Sequence, residues 1–186
     1  MTDRDLFLEH TIDYFGPHAE RKGEIESQLP TFIQWDFVFR PSQSPQLKQL
    51  EAEAFRPVQQ WFRNQGWPVL RLPENVWESV DSIPEEARVP EEVVQNLLTR
   101  FEQMDDQRKG AVFTLFCCGS DRTHWTAAQA LLEGGITPKE FALVLASAEI
   151  TAAKLAGQMS KSDWREALRE FEDLAYDALD FADEEA

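Results

Sequence analysis

Positive charge is scarce in this chain: 18 Lys and Arg stand against 34 Asp and Glu, a formal net charge of −16 over 186 residues. A field that negative repels phosphates, which argues against direct contact with nucleic acid or an anionic membrane surface. Cysteine is nearly absent. Cys117 and Cys118 are the only two, adjacent in an apolar run. Neighbours on a strand point to opposite faces, so no disulfide is expected and a reducing compartment fits. No apolar run approaches the roughly 20 residues of a membrane span. The opening MTDRDLFLEH mixes charges into its first apolar residues, unlike a secretory signal, so the cytoplasm is the expected location. Also missing are the His-Glu-x-x-His, Cys-x-x-Cys and EF-hand spacings, a Gly-rich nucleotide loop, a Ser-His-Asp arrangement and a paired-carboxylate motif. No metal and no cofactor is implied.

What the chain does have is aromatic bulk. Six Trp and thirteen Phe, in a composition 42% hydrophobic, can build a substantial core and argue against disorder. One domain over residues 1–186 is the simplest organisation: a mixed helix and strand part to 118, a helical part over 119–182 and an acidic tail at 183–186.

The predicted fold class is α+β, with a small sheet of about three strands covered by helices. Residues 3–15 read as a short helix, capped by Thr2, with Leu8, Ile12 and Phe15 on one face and Gly16–Pro17 ending it; 18–30 read as loop. Ile33, Trp35, Phe37 and Phe39 alternate with polar neighbours, which predicts a strand over 31–39. A helix over 45–64, kinked by Pro57, and a strand over 67–72 would complete a βαβ unit. A short helical turn is expected near 75–80. A helix follows from Pro90, burying Val94, Leu97, Leu98, Phe101 and Met104. The apolar run 112–118 reads as a buried strand and 121–133 as a helix. The best-marked helix is 138–156: Thr137 and Glu140 form a capping box, Pro138 takes the first helical position and Gly157 supplies a left-handed stop. Its run from Phe141 to Ala148 is apolar or small on every side, as in a helix enclosed by protein. A last helix starts near Ser160 or Ser162 and repeats Trp164, Leu168, Phe171, Ala175, Ala178 and Phe181 at helical spacing.

The negative charge is concentrated in two blocks. Residues 74–106 carry ten acids and two bases, and residues 158–186 carry ten acids and three bases; the rest is close to neutral. Asp81, Glu85, Glu86, Glu91 and Glu92 in the first block, and Asp173, Asp177 and Asp180 in the second, are the candidate binding residues for a basic partner.

Candidate chemistry centres on Cys117–Cys118–Gly119–Ser120–Asp121–Arg122–Thr123. The stretch resembles the phosphate-binding loop of the cysteine phosphatases, where a strand delivers a Cys and an Arg opens the next helix. That resemblance implies a thiolate beneath a ring of backbone N–H groups. It departs at the spacing: those enzymes have five residues between Cys and Arg, and here four residues lie between Cys117 and Arg122 and three between Cys118 and Arg122. Ser120 as a helix cap explains the same residues. Glu149 is the lone charge between Glu140 and Lys154, so Cys118, Arg122 and Glu149 are the pocket candidates; Arg122 or Lys154 could pair with Glu149. His10 and Asp13 share a helical face, with His18 and His124 as conceivable further metal ligands.

The functional expectation is a non-enzymatic acidic interaction protein: a regulator, adaptor or inhibitor-like protein, such as an immunity protein, engaging a basic protein. A duplex mimic that occupies a DNA-binding protein is the second reading. A small-molecule enzyme using the pocket candidates is the third.

Overall fold

The computed structural model describes residues 3–74, 76–118 and 124–184, apart from the side chains of Asp3, Ala148, Glu149, Ile150 and Ala152. Every regular element among these residues is helical: α1 (Asp3–His10), continued by a π turn (Thr11–Phe15), α2 (Glu24–Trp35), α3 (Pro45–Ala54), α4 (Arg56–Asn64), α5 (Glu91–Glu102), α6 (Asp106–Cys118), α7 (Trp125–Leu132), α8 (Pro138–Leu155) and α9 (Lys161–Asp183). Two 3-10 turns, Val80–Ser82 and Glu85–Ala87, precede α5. The α+β prediction is therefore wrong, and so are the βαβ unit and the mixed part before residue 118; among the described residues there is no strand.

Each predicted strand failed for its own reason. Residues 31–35 finish α2, whose core face is Ile25, Leu29, Phe32 and Ile33, a helical repeat that begins in the stretch read as loop. Pro30 lies inside α2 on its exposed side, where the carbonyl it deprives of an N–H can meet water. Residues 36–40 are not alternating at all: Asp36, Phe37, Val38, Phe39 and Arg40 are all buried in a turn. Residues 67–72 run as irregular backbone, linked to that turn by the Leu72 N–H donating to the Phe39 carbonyl (2.7 Å), one bond rather than a ladder. Residues 112–118 belong to α6. A short continuous apolar run is common to buried strands and buried helices, and α6 is enclosed by α1, α7 and α9.

The first helix also turns its other side inward. Phe7, Thr11, Tyr14 and Phe15 are buried, whereas Leu8 and Ile12 are 51% and 57% exposed. The π turn shifts the register so that Phe15 still reaches the core. Close approach to α6 rests on Gly110: a Cβ there would lie 1.9 Å from Thr11 Oγ1.

Where local signals dominate, the sequence reading holds. The Thr137–Glu140 box forms in both directions (2.8 and 3.3 Å), and Gly157 ends α8 at φ +71°. From Phe141 to Ser147 the helix is buried except at Leu143. The Pro57 break appears as Phe55 separating α3 from α4. Ser160 caps α9 in a capping box with Asp163. The helix predicted over 121–133 is described from Trp125; the Thr2 cap, and the Ser120 cap with Asp121, lie outside the described residues.

At the centre of the core, Trp125 is fully buried, with Phe101, Phe116 and Phe32 at 5.1, 5.4 and 6.2 Å between ring centroids. No helix among the described residues is long and apolar enough to cross a membrane.

Candidate functional site

The segment joining α2 to α3, together with α3 itself, holds a concentration of buried charge. Asp36, Arg40 and Glu51 are all essentially without solvent contact. Burying a charge is costly unless it is hydrogen-bonded or paired, and each of the three is engaged. Asp36 accepts from the Val38 N–H at 3.0 Å, closing a local turn, and from the Thr126 N–H at 2.7 Å, capping the first turn of α7 from 90 residues away. Arg40 donates to the carbonyls of Gln34 (2.7 Å), Ala87 (2.9 Å) and Pro73 (3.2 Å), and its guanidinium lies over the Trp77 ring. Burial holds the Arg40 guanidinium below its usual pKa. Gln34 completes the set by exchanging two 2.9 Å bonds with the Val89 backbone. Glu51 accepts from the Ser42 N–H at 2.6 Å, and Glu74 from the Gln43 N–H at 3.2 Å.

These bonds tie three pieces of chain, 36–43, 71–74 and 87–89, to one another, and Glu51 ties the first of them to α3 beside the α3–α4 corner. A cleft of about 280 Å³ opens between the first two and that corner. Val38, Phe55 and Leu72 form its apolar part; Lys48, Arg71 and Gln59 supply polar groups. None of these residues was singled out by the sequence. The only local signal was Arg40 at the end of an apolar stretch, which reads as an ordinary strand end.

No family model, curated protein or solved structure matches the chain. Its site must be read from its own geometry.

The eight acidic candidates, Asp81, Glu85, Glu86, Glu91, Glu92, Asp173, Asp177 and Asp180, are all exposed, but they rest on different supports. The first five lie on the 3-10 turns and the start of α5, beside α2. There Arg88 donates to the carbonyls of Ile83 (2.9 Å) and Asp81 (3.3 Å), placing a cation among the acids. The other three lie on α9, packed on α8, α6 and α1.

The pocket candidates do not assemble into an observed site. Cys118 ends α6 half-buried against the core. Arg122 and the side chain of Glu149 lie outside the described residues. Lys154, a possible partner for Glu149, sits 3.8 Å from the centre of the Trp164 ring. Cys117 breaks the surface, yet the protein packed around its thiol, and then Cys118, push it up to about 11. That thiol is protonated at neutral pH, the reverse of a phosphatase nucleophile, and the strand that should deliver it is a helix.

Two of the three histidines, His10 and His124, are engaged within the fold. Thr114 donates to the Gly110 carbonyl at 2.8 Å, so its oxygen can only accept from His10 Nδ1, 2.9 Å away. Burial lowers the His10 pKa, against the opposing pull of Glu9 and Asp13. His124 is fully buried and donates from Nε2 to the Leu115 carbonyl at 3.0 Å; His18 is exposed. Among the described residues, no group of three or more His, Cys, Asp or Glu side chains is arranged to hold a metal ion.

Proposed function

We propose that the protein is a non-enzymatic interaction protein that engages a basic protein surface through α9. One observation carries the reading. Glu166, Glu170, Asp173, Asp177 and Asp180 are exposed and recur at helical spacing, so they form a single stripe along the helix. The opposite side, with Leu174, Ala175, Ala178 and Phe181, is buried, which fixes the stripe towards solvent. At 1.5 Å per residue the five carboxylates span about 21 Å, the length of a modest interface. A stripe of one sign attracts a cationic counterpart.

The stripe offers about one charge per 5 Å of axis, whereas a duplex carries one per about 1.7 Å. A basic protein surface is therefore a better counterpart than a site evolved to grip a duplex. Affinity capture at low salt, with bound proteins identified by mass spectrometry, tests the proposal. The wild type should retain a basic protein that is released as salt shortens the screening length from about 10 Å towards 3 Å. A variant carrying Glu170→Gln, Asp173→Asn, Asp177→Asn and Asp180→Asn should lose it. Retention of the same partner by that variant ends the α9 reading.

A further inference from the structure

The cleft beside Arg40 has an electrostatic character opposite to that of the whole molecule. In a chain of net charge −16, its charged lining side chains are two cations, Lys48 and Arg71, and no acidic side chain lines it among the described residues. Neither cation makes an ion pair among the described residues, in contrast to Arg4, Arg21, Arg100 and Arg108. The two nearby acids are turned to other work: Glu51 is buried against the Ser42 N–H, and Glu74 faces the Gln43 N–H.

The cleft is also held in shape before any ligand arrives. Arg40 fixes Pro73, the Leu72–Phe39 bond fixes the strip that carries Arg71, and Phe55 stacks edge-on to Phe37 at 5.2 Å. A site whose walls are set in advance loses little freedom on binding. Its volume of about 280 Å³ falls at the lower end of ligand sites, so its occupant is small. Val38, Phe55 and Leu72 favour a hydrocarbon body, and the Arg71 fork favours a planar anion held by two parallel bonds. The surrounding negative field penalises each added negative charge, so a single charge is preferred to two.

We infer that this cleft binds a small monocarboxylate with an apolar body, its carboxylate between Lys48 and Arg71 and its hydrocarbon over Phe55. The inference is independent of the α9 stripe.

Titration of the isotope-labelled full chain with 3-phenylpropanoate, followed by amide chemical shifts, provides the test. The neutral analogue 3-phenylpropanamide and the dianionic phenyl phosphate serve as comparison probes. The carboxylate should shift the amides of residues 38–43, 55–59 and 71–72 in a saturable way. The amide should bind roughly tenfold more weakly, the loss expected for one charge-assisted contact. Phenyl phosphate should bind no better than the carboxylate. Lys48→Gln and Arg71→Gln, both at exposed positions, should each weaken the carboxylate several-fold and leave the weaker amide binding unchanged. The α9 variant with four neutralised acids should retain the site. Four results overturn the inference: no saturable shift at the cleft, equal binding of the amide, stronger binding of the phosphate, or carboxylate binding indifferent to both substitutions.

Discussion

α8 and the 36–43 segment are both buried, and they are held by opposite means. Over Phe141–Ser147, α8 is fixed by hydrocarbon on nearly every side, and at its start by a cap made of its own neighbours, Thr137 and Glu140. The 36–43 segment is fixed by charges and amides whose partners are distant in the chain: Pro73, Ala87, Val89 and Thr126. Apolar burial tolerates small errors because it is non-directional. A buried guanidinium among carbonyls does not, since each lost bond strands an acceptor. The lesson is that the rigid cleft wall depends on a few directional bonds, and the helical half on many weak contacts.

The sharpest way to break this contrast is Arg40→Met, which keeps volume and strands the carbonyls of Gln34, Pro73 and Ala87. It should cost about 3–5 kcal/mol in denaturant unfolding. Hydrogen exchange should rise first at 36–43, 72–74 and 87–89, with α8 still protected. Equal acceleration in α8 would show that the two regions open as one. Leu145→Ala, on the apolar side, should cost about 2–4 kcal/mol and speed exchange in α8 and α9 ahead of the cleft wall. Gly110→Ala drives a methyl into Thr11 and should cost about 1–3 kcal/mol. Adding Thr11→Ala should recover part of that loss, because the 1.9 Å clash is with Oγ1. Ser160→Ala, removing a purely local cap, should cost about 1 kcal/mol.

The smallest effect is a pH dependence. His10 titrates below its usual 6.5 because burial disfavours its charged form. Its contribution to stability is therefore complete above pH 6.5 and is lost as pH falls through the lowered folded value. The stability difference between wild type and His10→Gln should be constant above that pH and should shift towards the variant below it. A difference that stays flat down to pH 5 would show that burial does not disfavour the charged ring.

The same contrast explains what was legible in the sequence. α8, the α9 cap, α5 and the break near Pro57 were all recoverable because their determinants lie within a few residues of one another. α2 was missed because Pro30 masked the Ile25–Leu29–Ile33 repeat, and alternation from Ile33 to Phe39 imitated a strand. Nothing in the sequence marks Asp36, Arg40 and Glu51 as buried; partners up to 90 residues away do so. The eight acidic candidates are all exposed. Their division between two supports, with Arg88 interrupting one of them, needed the fold.

The Asp36–Thr126 bond also sets an order of events in biosynthesis. Asp36 emerges from a ribosome 90 residues before the amide that completes its hydrogen bonding. At translation rates of 5–20 residues per second, that delay is on the order of ten seconds. Throughout it, Phe37 and Phe39 remain on a nascent chain without their final enclosure.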